Sequence, residues 1–173
     1  MNEFGSSKAV ESETLFWFPK GLPGFEFCQH FHLIHVDGAP LGKLIAVEDE
    51  HIGFVVMRAE TILAGYTQQV ILDPESTKIL GGDMENDEQL SQELAMQVWV
   101  ILTLDHQDVL RTTANLRAPL VFNIKKHIGM QIILNDEQLA IRHALYMRTD
   151  DQEVTPAKKD IDGENALEEG AAG

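Results

Sequence analysis

The sequence predicts a mainly β protein: a small antiparallel β-barrel-like domain with one or two short helices. Eight short runs rich in β-branched and aromatic residues are punctuated by Gly, Pro, Asn and Asp, the pattern of a barrel or sandwich. Only one stretch, 86–97, carries helical spacing. The chain has 173 residues, 44% of them apolar, which suits one domain with a real core, since about 150 residues bury roughly 68–70% of their unfolded surface.

In chain order, "TLFWF" (14–18) predicts the first strand and ends at Pro19, in the turn-rich "PKGLPG". In "GLPGF", Gly21 and Gly24 are read as turn positions closed to other residues, and Phe25 as the anchor of the turn in the core. "FHLIHV" (31–36) ends at "DGAP", and "KLIAVED" (43–49) is followed by "IGFVVM" (52–57). "TQQVIL" (67–72) reads as a strand stopped by Asp73-Pro74. The helix is predicted over 86–97, where Asn86 or Asp87 can cap it and Leu90 and Leu94 share a face. "VWVILTL" (98–104), "PLVFNI" (119–124) and "MQIIL" (130–134) complete the strands. Residues 1–11 read as a flexible lead and 12–147 as the domain. Residues 148–173 read as a disordered acidic tail, with a net charge of −6 over 149–173 and too little apolar area to offset its ordering entropy.

Charge narrows the function classes. Thirteen Lys and Arg against 28 Asp and Glu leave −15, which repels phosphate backbones and anionic lipid. Direct nucleic-acid and membrane binding are therefore not expected, and a basic partner is the natural complement. A single cysteine, Cys28, excludes an intramolecular disulfide, and Met1–Val10 has no signal-peptide pattern, so a cytoplasmic protein is expected.

Enzymatic motifs are missing. His30, His32 and His35 crowd one segment, with Glu48, Asp49 and His51 as the nearest further ligands, but strand alternation and the lack of a fixed fourth ligand favour solvent-facing histidines. Cys28 follows Phe25 and Phe27 and reads as an inert, semi-buried thiol. Asp105-His106 has no nucleophile elbow beside it, and Gly81-Gly82 has no P-loop lysine. No catalytic residue, metal site or cofactor is expected.

The stretch "TTANLRAPLVFN" (112–123) is the most shaped part of the chain. Pro119 fixes φ, removes a donor and pushes Ala118 into an extended conformation at a strand start. Asn115 tolerates turn geometry, and Arg117 carries a planar five-donor fork. Asn115 and Arg117 are read as exposed handles on a docking edge, with little part in stability. Charge is also uneven: residues 111–148 carry a net +4, whereas 83–108 hold seven acids and no Lys or Arg. Two oppositely charged faces would suit two protein partners.

Three segments together resemble the FliW family of flagellar assembly factors. They are "FPKGLPGFEFCQHFHLI" (18–34), "AVEDEHIGFVVM" (46–57) with Tyr66 downstream, and "TTANLRAPLVFN" followed by "GMQIILNDEQLAIRHAL" (129–145). The resemblance implies a non-enzymatic cytoplasmic regulator that binds newly made flagellin and the translational repressor CsrA, releasing one to hold the other. It also marks Tyr66 and Arg142 as protein-binding positions. The sequence departs from the family pattern at "RAETILAGY", before Tyr66, and at Leu139-Ala140-Ile141-Arg142, where an aromatic and a proline are replaced. Glu48 and Asp49, with Glu85, Asp87, Glu88 and Glu93, are the acids expected to face a basic CsrA surface. The alternative from another class is a flavin-binding split-barrel oxidoreductase.

Overall fold

The computed structural model describes residues 11–81, 96–148 and 154–156. Seven strands close a barrel: β1 (Glu11–Trp17), β2 (His30–Val36), β3 (Leu41–Ala46), β4 (Gly53–Arg58), β5 (Met96–Thr103), β7 (Leu120–Asn123) and β8 (Ile128–Gln131). The order β4-β3-β2-β1-β8-β7-β5 is closed by pairing of β4 with β5. Every pairing is antiparallel except β1 with β8, which meet at Trp17 and Ile128. Short strands β6 (Thr113–Ala114) and β9 (His143–Ala144) extend the sheet from β5, and β10 (Tyr146–Arg148) pairs with β11 (Val154–Pro156).

Two cores lie on opposite faces of the barrel wall. The inward residues of the strands, among them Phe16, Phe31, Leu44, Val56, Trp99 and Phe122, fill the interior with Phe18. Its rings meet edge to face, Phe16–Phe122 at 4.7 Å and Phe18–Phe31 at 5.0 Å, pairs worth about 0.5–1.5 kcal/mol beyond area burial. The second core lies outside the wall, where Val98, Val100, Val121 and Met130 are roofed by Ala59, Tyr66, Leu80, Leu116 and Leu139. This explains the unbroken apolar run of β5, a strand buried on both faces. β1 and β2 alternate instead, because the described part of the roof does not reach them.

Helices fall where the strand reading missed them. The segment 67–72 is not a strand: Thr67–Gln69 is a 3₁₀ turn, and Ile71 is 82% exposed. Asp73-Pro74 opens a helix rather than ending a strand. Asp73 caps α2 (Pro74–Ile79), accepting from Ser76 N at 2.9 Å and Ser76 Oγ at 2.7 Å, with proline at the first helical position. A shorter helix, α1 (Ala59–Ile62), follows β4. The predicted helix 86–97 lies outside the described residues up to 95; Met96 and Gln97 belong to β5. "MQIIL" is strand only to Gln131, after which Ile133 is 66% exposed. Of the expected lead 1–11, residues 1–10 lie outside the described residues and Glu11 opens β1; most of the expected tail also lies outside, while Val154–Pro156 within it is strand rather than disordered.

In "GLPGF", Gly21 and Gly24 both have positive φ, 62° and 85°. Only Gly21 is also sterically closed, since a Cβ there would lie 2.7 Å from Glu26 Cα. Phe25 packs against the interior core as expected, and Leu22, 2% exposed, is the deeper anchor of the turn. Phe25 is half-buried and packs edge-on against Phe54 at 5.4 Å.

Candidate protein-binding surfaces

The "NLRAP" segment is a bulge built on β5. Leu102 pairs with Ala114 and Trp99 with Leu120, so two residues of β5 face five, Asn115–Pro119, on the other side. The excess must leave the ladder, and bulges of this kind re-aim side chains at sheet edges. Asn115 closes the bulge with its own side chain, Oδ1 accepting from Arg117 N at 3.1 Å and Ala118 N at 3.2 Å. Arg117 donates from Nε to Leu139 O and from Nη2 to Glu137 O, both at 3.1 Å. The expected outward fork is thus directed at the chain's own loop. Leu116 N donates to Ala140 O, and Leu134 N to Arg117 O. "TTANLRAP" and "NDEQLAIR" therefore form one interlocked surface.

Tyr66 is the strut beneath that surface. Its side chain has no solvent exposure, and its hydroxyl donates to Leu116 O. Burial pushes the phenol pKa up, so it remains a neutral donor. A residue without exposed surface cannot be a contact side chain, so the role implied for Tyr66 is corrected to support of the bulge. Arg142 is exposed two residues beyond Ala140. It lines a groove of about 940 Å³ with Asp105, His106, Arg111 and Tyr146, a feature invisible in the sequence because β9 and the 104–111 loop meet only in the fold.

Glu48 and Asp49 lie in the β3–β4 turn, a separate place. Glu48 Oε1 accepts from Gln29 N at 3.0 Å, His30 N at 3.1 Å and His30 Nδ1 at 2.8 Å. Partial burial, the largest single influence, raises its pKa. The His30 ring and the backbone N–H groups of Glu48, Gln29 and His30 together outweigh this and hold it at about 2. Asp49 Oδ1 accepts from His51 N at 3.0 Å. Both acids are committed locally yet remain partly exposed.

His30 and His32 lie on the outer wall, whereas His35 shares the inward face with Phe31 and Leu33 and its ring lies 5.5 Å from that of Trp99. His32 Nδ1 sits 2.9 Å from Glu13 Oε1, but off the line that a hydrogen bond needs. No group of three or more potential metal ligands occurs among the described residues. Cys28 is fully buried; burial first, then the charges of Glu48 and Asp49, push its thiol pKa up, which keeps it a protonated, poor nucleophile. No described helix is long and apolar enough to cross a membrane.

Fold and surfaces together define a small closed β-barrel, half roofed, whose loops are pinned by backbone hydrogen bonds. The model of the FliW protein family matches residues 1–145. The flagellar assembly factor FliW of Thermotoga petrophila is 36% identical over 137 residues, covering 79% of this chain and 85% of that protein. FliW of Desulfitobacterium hafniense is 33% identical over 138 residues, covering 79% and 84%. The crystal structure of a flagellar assembly factor FliW superposes with a TM-score of 0.63 at 29% identity, covering 75% of this chain and 84% of the other. The chain belongs to the FliW family of flagellar assembly factors. Nothing in these comparisons supports the flavin-binding alternative.

Proposed function

We propose that this chain is a cytoplasmic, non-enzymatic regulator that binds flagellin and the repressor CsrA in alternation and so couples flagellin synthesis to export. The observation that carries the reading is the family match over 1–145. The interlocked bulge at Asn115 and Arg117, with exposed Arg142 nearby, is the surface assigned to flagellin. The acidic turn at Glu48 and Asp49 is assigned to CsrA, whose RNA-binding role requires positive charge. Two equilibria drawing on one pool of protein suffice for a switch. No catalysis, metal or cofactor is needed.

The test is a competition titration with purified proteins. The chain should form a complex with flagellin and a complex with CsrA, and added flagellin should displace CsrA. Binding to neither would sink the reading, and a stable ternary complex would sink the switch.

A further inference from the structure

Half of the barrel's outer wall lacks a roof among the described residues, and exposed apolar side chains are set among its polar ones. Phe16 points inward, so Leu15 and Trp17 on β1 point out; they are 44% and 47% exposed. The register carries these rows across the sheet. Leu15 lies beside His32, which lies beside Ile45; Trp17 lies beside His30, whose carbonyl accepts from Val47 N at 2.9 Å. Val47 is 52% exposed. A two-sided antiparallel sheet ordinarily turns polar residues to water on such a face. Contiguous exposed apolar surface marks an interaction site more often than scattered single residues do.

The charges around this strip are mostly negative. Glu11 and Glu13 continue the outward row of β1, and Glu48 sits beside His30, whereas Lys43 is the cation on the facing row of β3. A second copy of a −15 chain would be repelled here. We infer that the outer face of β1–β3, centred on Leu15 and Trp17, docks a cationic segment with one apolar face, supplied by a partner protein. Apolar contact would seat the segment, and Glu13 and Glu48 would select its charge. This rests on the reading of the chain as a protein-binding regulator, and it extends the acidic turn at Glu48 onto an apolar face, Leu15 and Trp17, that neither assigned surface includes.

Trp17 is its own reporter, because the other tryptophan, Trp99, is fully buried. The probes are three labelled synthetic peptides of equal length: Leu/Lys amphipathic, Leu/Glu amphipathic, and Gly/Lys with the charge of the first. In the full chain, the Leu/Lys peptide should bind and shield Trp17 from acrylamide quenching, and the other two should not. The Leu15→Thr/Trp17→Thr double variant keeps the charge and the strand propensity. It should weaken Leu/Lys binding about tenfold or more, read by peptide anisotropy, whereas Val109→Ser, at a 64% exposed position on another element, should leave it unchanged. Equal binding of the Gly/Lys peptide, or an unaffected double variant, would reduce the effect to bulk charge and overturn the inference. It would equally fall if Trp17 is already shielded in the full chain and becomes quenchable on deleting residues 1–10. Failure of the wild-type chain to bind flagellin and CsrA would remove the regulator reading alone, because the peptide titrations are read independently.

Discussion

Replacing Tyr66 by Phe tests the support of the bulge directly. The ring keeps its packing, so the change removes only the hydroxyl that donates to Leu116 O. Tyr66 has no exposed surface and Leu116 is 2% exposed, so water does not readily replace the lost donor. Leaving a buried acceptor unsatisfied costs about 1–3 kcal/mol. For a protein of this size each kcal/mol moves the melting temperature by about 2–4 °C, so Tyr66→Phe should melt roughly 2–12 °C lower. Urea unfolding followed by circular dichroism should show a lower midpoint with an unchanged slope. Flagellin affinity, measured well below the transition, should fall by less than the stability does. Undiminished stability together with lost binding would refute the strut and return Tyr66 to the contact surface.

Arg117→Ala should destabilise by about 1–3 kcal/mol, chiefly because it frees the carbonyl of buried Leu139, whereas water can reach the exposed carbonyl of Glu137, and Arg117→Lys should recover little of the loss because an ammonium is not a two-pronged fork. A normal melting curve for Arg117→Ala would show that the side chain serves a partner instead. Gly129→Ala would put a Cβ 2.4 Å from Phe18 Cε2 and Cζ inside the aromatic core; overpacking of this kind costs about 1–3 kcal/mol, and an unchanged melting temperature would mean that the ring has room to move. The Glu48 pKa is lowered from 4.5 to about 2, so its contribution to stability is complete above 4.5 and is lost as pH falls through the folded value. Glu48→Gln should therefore flatten the pH dependence of stability between about pH 4.5 and 2, and an identical acid limb in wild type and variant would contradict the cluster around His30.

The strands were legible because their signals are local. Alternation in "TLFWF" and "FHLIHV" places Phe16, Phe31 and Leu33 on the buried side, a consequence of the two-residue period of a pleated strand. The same locality misled at 67–74, where an apolar run before Asp-Pro has the look of a strand and its end. The cap hydrogen bonds to Ser76 and the roof over Val98 and Val100 instead make it a turn and a helix start. Asn115 was legible as a turn residue, but the direction of the Arg117 fork was not. Its acceptors, Leu139 O and Glu137 O, lie 22 and 20 residues downstream, and only the folded loop brings them within reach.

By itself the sequence determined a β-rich chain, its acidic charge, the turn chemistry of Gly21 and Pro119, and the ordered motifs that place it in its family. Those properties depend on neighbours in the chain. Tertiary structure alone decided that Tyr66 is buried, that Arg117 clamps its own loop, and that one side of the barrel wall is roofed while no described residue covers Leu15 and Trp17. Burial and hydrogen-bond partners belong to the closed barrel, because barrel closure brings together residues that sequence separation keeps apart.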